Sequence, residues 1–262
     1  MNQWHGKWAL ITGASAGIGT ALARELAAGG TNLILTARRR DRLAGLAGEL
    51  SEKHDIRTLV CVADLAQPLG PQEIFAFTES KNIAVDLLVN NAGFGAYGEF
   101  RKVGLEKLLE MVQVNVSAVV HLTHLYLDGM IARRSGDILI LASTAAFQPV
   151  PYISTYAATK SFDLLFAEGL AEEVRQHGIR VCALCPGSTE SEFLDVAGQR
   201  PHTRRPQETA AKVAHVGLQA LAAGKTSVIS GFTNWLGAET VRLAPRRMVA
   251  RIAGGLFRPP EK

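Results

Sequence analysis

The feature that most restricts this chain is a regular alternation of short, almost uninterrupted apolar runs with longer segments whose apolar residues recur at a helical period. The runs are WALIT at 8–12, NLILTA at 32–37, TLVCVA at 58–63, DLLVN at 86–90, DILILAS at 137–143, RVCALC at 180–185 and SVIS at 227–230. Helical periodicity fills the intervals near 17–29, 40–52, 71–82, 105–133, 154–177 and 207–223. Strands that are apolar on both sides must be covered on both faces, and a strand–helix–strand succession makes neighbouring strands parallel. The expected fold is therefore α/β: a doubly wound, Rossmann-type parallel sheet of about seven strands with helices on both faces. The 262 residues contain no linker, repeat or low-complexity stretch, so a single domain over 1–262 is expected. In such a sheet ligands bind beyond the carboxyl ends of the strands, and the residues just after each strand carry the chemistry.

After the first run comes Thr12-Gly13-Ala14-Ser15-Ala16-Gly17-Ile18-Gly19, followed at once by helical periodicity. Gly13 lets the backbone turn, Gly17 clears room for a pyrophosphate, and Gly19 lets the helix pack close to the strand. The backbone N–H groups of Ser15, Ala16 and Ile18 are then available to an anion at the helix N-terminus. The spacing, G-x3-G-x-G, differs from the commonest dinucleotide fingerprint.

A site for NAD would place an acid after the second strand, to accept the ribose 2′-hydroxyl. This chain has Arg38-Arg39-Arg40 instead. Guanidinium groups suit a 2′-phosphate, so NADP(H) is the expected cofactor, with Arg38 as the phosphate contact and Arg40 as part of the solvated start of the next helix.

Carbonyl reduction needs a proton donor for the oxygen, and the reverse reaction needs a base. A tyrosine serves both if a neighbouring cation lowers its pKa from about 10, and four residues along a helix brings a lysine alongside. Tyr156 and Lys160 have that spacing.

Together with Thr12–Gly19, Asp64, Asn90-Asn91-Ala92-Gly93, Asn115, Ser143 and Pro186-Gly187, this Tyr-x-x-x-Lys pair makes the chain resemble the single-domain short-chain dehydrogenase/reductase superfamily. The resemblance covers nearly the whole chain, with the motifs in the family's order. It implies that Tyr156 is the general acid/base, and that Lys160 tunes it and bonds the nicotinamide ribose. By the same resemblance Ser143 polarises the substrate carbonyl, and Asn115 holds a water that links Lys160 to solvent. Asp64 and Leu65 would meet the adenine, and Asn91, Ala92 and Gly93 its ribose, with Asn91 open to a purely structural role. Pro186, Gly187, Thr189 and Ser191 would hold the nicotinamide carboxamide; Ser191 replaces the family's usual threonine and keeps its hydroxyl. The implied function is NADP(H)-dependent interconversion of a carbonyl and a secondary alcohol on a small-molecule substrate, with an acyl or lipid-like compound as one candidate. The alternative is a catalytically silent dinucleotide-binding regulatory or scaffold protein. An epimerase or dehydratase of the extended branch would need a longer C-terminal substrate domain.

Residues 192–206 lack a clear period and contain Gly198, Pro201 and Pro206, which points to a lid loop carrying Phe193, Leu194 and Val196 beside Arg200, Arg204 and Arg205. The stretches 94–97 and 145–152 are expected as the other pocket walls. Charge is divided unevenly: residues 1–199 hold 17 basic and 21 acidic side chains, residues 200–262 hold 11 and 3. With no recognition motif beside that basic tail, nucleic acid is not expected as a partner. The tail, 235–262, forms a basic amphipathic segment that would cap the pocket, pack against another subunit or, less expected, touch a membrane surface. A homodimer or homotetramer through the helices at 105–133 and 154–177 is expected by resemblance and symmetry.

Three cysteines do not make a disulfide framework. Cys182 and Cys185, three apart on an apolar strand, point to opposite faces, so no metal is expected there. With no long apolar run and no apolar segment at the start, the expected location is the cytoplasm.

Overall fold

A computed structural model describes residues 3–198 and 207–259. Its seven strands coincide with the apolar runs: β1 (Trp8–Thr12), β2 (Asn32–Ala37), β3 (Thr58–Val62), β4 (Leu87–Asn90), β5 (Gly136–Leu141), β6 (Ile179–Cys185) and β7 (Ser227–Ile229). They form one parallel sheet in the order β3-β2-β1-β4-β5-β6-β7. The order reverses beside β1, which pairs with β2 on one edge and β4 on the other, and this is where a doubly wound sheet opens a crevice.

The helices are α1 (Gly17–Ala28), α2 (Arg40–His54), α3 (Gly70–Ser80), α4 (Leu105–Val112), α5 (Ala118–Arg133), α6 (Ser154–Val174), α7 (Phe193–Ala197), α8 (Ala210–Ala222), α9 (Phe232–Thr240) and α10 (Arg246–Phe257). Because side chains alternate across a strand, the sheet feeds two cores. On one face Leu10, Ile34, Leu88, Ile138 and Ala183 pack with Leu122 and Met130 of α5 and Leu164 and Ala167 of α6. On the other, Ile11, Leu33, Leu35, Val89 and Leu184 pack with α1, α2 and α8 through Leu22, Leu43 and Leu218. Each fully buried leucine contributes roughly 1.5–3 kcal/mol, so the carboxyl edge that carries the chemistry rests on a rigid layer. Cys182 and Cys185 fall in opposite cores as buried free thiols, and burial pushes both up to about 12.

The chain departs from the sequence reading in three places. The helix expected over 105–133 is interrupted by a π-helical turn, Gln113–Ser117, where Asn115 turns inward and bonds the backbone of Phe94. The loop expected from 192 begins as the short helix α7, while Arg200, Arg204 and Arg205 lie outside the described residues. The tail is two helices, α9 and α10, joined by a 3-10 turn and Pro245. Among the described residues no helix is long and apolar enough to cross a membrane.

Candidate active site

A cavity of about 540 Å³ lies over the carboxyl edge of the sheet at the β1/β4 reversal. Its floor begins at the cradle after β1. Gly13 and Gly17 have φ of +65° and +56°, which disfavour any side chain. A Cβ on Gly19 would stand 2.4 Å from the Gly13 carbonyl oxygen and 2.6 Å from Asn91 Nδ2, and one on Gly17 would stand 3.0 Å from Ser191 Cβ. Ala16 caps α1 without a side-chain hydrogen bond and the first turn holds no acid, so the positive end of the helix faces the cavity. These features fit a dinucleotide pyrophosphate.

Of the predicted site residues, all line the cavity except Gly19, packed beneath the cradle, and Asn115, fully buried below the floor. Asn91 Nδ2 donates to the carbonyl oxygens of Thr12 (2.7 Å) and Gly13 (3.3 Å), and the backbone N–H groups of Asn91 and Ala92 both donate to Thr12 Oγ1 (2.9 Å each). Asn91 therefore stitches the loop after β4 to the cradle. Asn115 accepts from Phe94 N–H at 3.1 Å and donates to Phe94 O (3.0 Å) and Thr159 Oγ1 (3.1 Å). Asn115 Oδ1 and Lys160 Nζ close around Gly93, where an added Cβ would lie 3.1 and 3.5 Å from them.

At the far end of the cavity, Ser143 accepts from Ala145 N–H at 3.1 Å, and its hydroxyl meets the Tyr156 phenol. Lys160 Nζ donates to Leu141 O at 2.6 Å and to Asp163 Oδ2 at 2.9 Å, a pair almost wholly buried. The Phe193 ring of α7 lies 5.0 Å from that of Tyr156. Lys160 acts on the phenol in the expected direction, and burial acts against it more strongly. Burial pushes Tyr156 above its ordinary value, and Lys160 and Ser143 lower it without reversing that rise, while Asp163 adds to it. Burial also acts to strip Lys160 of its proton, but Asp163 and Tyr156 outweigh it and hold the ammonium above its usual range.

Where the 2′-phosphate was expected, both arginines line the cavity, and their roles differ. Arg38 reaches Glu110 at 3.5 Å, whereas Arg39 donates to Ser15 Oγ at 3.0 and 3.2 Å and to Glu192 at 2.7 Å. Arg39, which the sequence reading passed over, is the guanidinium tied to the cradle. Arg40 is exposed at the start of α2 and does not line the cavity.

The walls differ in part from those expected. Phe94, Ala145, Phe193, Leu194 and Val196 line the cavity, but 95–97 and 146–152 do not. Gly95 is packed under Phe193, and Tyr97 turns away to donate to Phe257 O at 3.0 Å. Ile153 and, from α10, Leu256 and Phe257 take their place. These last two belong to the tail that the sequence reading offered as a cap on the pocket, and they arrive by its folding back.

A model of the family described as short chain dehydrogenase matches residues 7–202. Hydroxysteroid dehydrogenase-like protein 1 of Gallus gallus is 35% identical over 185 residues, covering 70% of this chain and 55% of that protein. The chain thus spans little more than half the length of that relative. The very-long-chain 3-oxoacyl-CoA reductase of Homo sapiens is 31% identical over 246 residues, covering 88% and 77%. A short-chain dehydrogenase from Sphingobium yanoikuyae, solved in complex with NADPH, superposes with a TM-score of 0.83 at 27% identity, over 90% of this chain and 93% of that one.

Proposed function

Since the chain belongs to the short-chain dehydrogenase family, we propose that it interconverts an apolar ketone or aldehyde and the corresponding alcohol, with NADP(H) as hydride carrier. The observation that carries this reading is one cavity with a phosphate cradle at one end and Ser143, Tyr156 and Lys160 together at the other. Bound NADPH would supply the hydride. The cradle Gly13–Ile18 would hold its pyrophosphate, Arg38 and Arg39 its 2′-phosphate, Asp64 and Leu65 the adenine, and Asn91–Gly93 the adjoining ribose. Lys160 would hold the nicotinamide ribose, and Pro186, Gly187, Thr189 and Ser191 the carboxamide.

The chain's own groups then manage the proton. Ser143 Oγ accepts from Ala145 N–H, and its single O–H, which meets the Tyr156 phenol, is the donor that would turn to a substrate oxygen placed beside the two. Tyr156, held protonated by burial, donates its proton to that oxygen. Lys160, kept charged by Asp163, stabilises the phenolate that results. Phe193, Leu194, Leu256 and Phe257 exclude water from the reacting end and select an apolar substrate, acyl or lipid-like in character. The name of the human relative supports an acyl substrate. Exposed Leu105 and Leu109 of α4 and Phe162 and Leu165 of α6 are the proposed contacts of a homodimer or homotetramer.

The test is a screen of ketones and aldehydes followed by NADPH absorbance. Turnover with NADPH should exceed that with NADH, and Tyr156→Phe should lower kcat by about 10²–10⁴ with cofactor affinity retained. Equal turnover by wild type and Tyr156→Phe would overturn the mechanism.

A further inference from the structure

The helix that closes the cavity has an outer face that the enzyme chemistry does not use. α10 packs through Val249 and Ala253, sets Gly254 against Pro151 and presents Leu256 and Phe257 to the cavity. Its other side stays in solvent. Met248, Ile252 and Leu256 recur every fourth residue as one ridge, and they are 50%, 57% and 50% exposed. Arg247 and Arg251 form the adjoining ridge, also exposed, and Arg246 begins the helix. The segment from Val241 to Pro259 contains five arginines and no acid. Just upstream, Phe232, Trp235, Leu236 and Leu243 are exposed as well, with the Phe232 and Trp235 rings 5.7 Å apart.

A solvated helix end would not expose large apolar residues in a continuous row, and a wholly apolar docking face would not be flanked by arginines alone. Apolar and basic ridges side by side suit a surface that is oily beneath and negative at its head groups. We propose that α10 seats the protein on an anionic phospholipid surface, with Met248 and Ile252 entering the acyl boundary and Arg246, Arg247 and Arg251 at the phosphates. Leu256 belongs both to this ridge and to the cavity lining, so the lipid-facing edge adjoins the site. An acyl-chain substrate would therefore enter from the membrane side, a clause that rests on the carbonyl-reductase reading, whereas the binding does not.

The experiment is co-sedimentation of the full chain with vesicles of phosphatidylcholine alone or mixed with phosphatidylglycerol. Binding should require phosphatidylglycerol and weaken as salt is raised. Each arginine near an anionic leaflet strengthens binding about fivefold, so Arg247→Glu with Arg251→Glu should weaken it at least about 25-fold. Ile252→Asp should weaken it through the apolar ridge. Neither variant touches the cavity, so both should melt like wild type and keep NADPH-dependent turnover of a short soluble aldehyde. Binding to neither vesicle, or to both equally, overturns the proposal. So does a dimer that these substitutions dissociate in the absence of vesicle binding, which would make the face a subunit contact. Vesicle binding without carbonyl turnover would retain the proposal and overturn the functional reading instead.

Discussion

Lys160 and Asp163 face each other one turn apart on α6, with Nζ and Oδ2 2.9 Å apart and almost no solvent at either. Asp163 Oδ1 finds no partner among the described residues, so the carboxylate is committed to the lysine. Removing one member of a buried pair typically costs about 3–5 kcal/mol, because the other charge is left uncompensated. Asp163→Asn should therefore lower the melting temperature. It should also act on catalysis. Among the described residues, the charged groups around Tyr156 are Lys160 and Asp163, with the Ser143 hydroxyl and the buried Cys185 thiol beside them. Loss of the carboxylate removes one of the groups that raise the phenol and the main one that raises the ammonium, so the alkaline limb of carbonyl reduction should move to lower pH. A limb unchanged in Asp163→Asn, measured as kcat/KM against pH, would show that the pair is structural only.

The wild-type pH profile follows from the same groups. Tyr156 is raised above its ordinary value, chiefly by burial, so the proton it donates is present throughout the neutral range. Reduction should stay level there and fall only as pH rises through the phenol's elevated pKa. Oxidation of the alcohol needs the phenolate and should climb over the same alkaline interval. Initial rates in both directions check this, and a reductive rate that falls between pH 6 and about 8 would contradict it.

Much of this site was legible because its constraints are local. A strand-to-helix turn that must admit a phosphate demands glycines at fixed offsets, and a tyrosine with its lysine needs one helical turn. Parallel strands announce themselves as apolar runs. What stayed hidden depends on distant contacts. Whether Arg38 or Arg39 faces the cradle is set by how the chain leaves β2, and Ser15, 24 residues earlier, decides it for Arg39. The π turn at Asn115 is fixed by Phe94, 21 residues away, and Leu256 reaches the cavity only through the tail's path. Asp163 did leave a signal: it sits at Tyr156+7 and Lys160+3, on the buried face of α6 with Ala167, where a charge demands a partner.

Arg39 gives a direct test of cofactor choice. Its guanidinium is fixed by Ser15 at the cradle and by Glu192, while Arg38 is held more loosely by Glu110. A hydrogen bond to a charged group contributes about 1.5–3 kcal/mol, so Arg39→Ala should raise the Kd for NADPH by tenfold or more. NADH carries no 2′-phosphate, and its Kd should change little. Titration of each variant with both cofactors separates the two arginines, and the larger loss is expected at position 39.

Two glycines in adjoining helices should respond in opposite ways to one added methyl group. At Gly19 in α1 the methyl would meet the Gly13 carbonyl oxygen at 2.4 Å and Asn91 Nδ2 at 2.6 Å, both parts of the stitched cradle. Neither the backbone nor the doubly bonded amide gives way cheaply, so Gly19→Ala should destabilise by about 1–3 kcal/mol and weaken dinucleotide binding as the cradle opens. At Gly48 in α2 a methyl meets nothing within 4 Å among the described residues. The backbone there is helical, and alanine restricts the unfolded chain, so Gly48→Ala should stabilise by about 0.5–1 kcal/mol. Thermal melts with and without NADPH distinguish them: Gly19→Ala should show a lower melting temperature and a smaller cofactor-induced rise, Gly48→Ala a higher one with the rise intact. A Gly19→Ala protein that melts and binds like wild type would mean that the close packing of α1 against the cradle does not hold the phosphate site in shape.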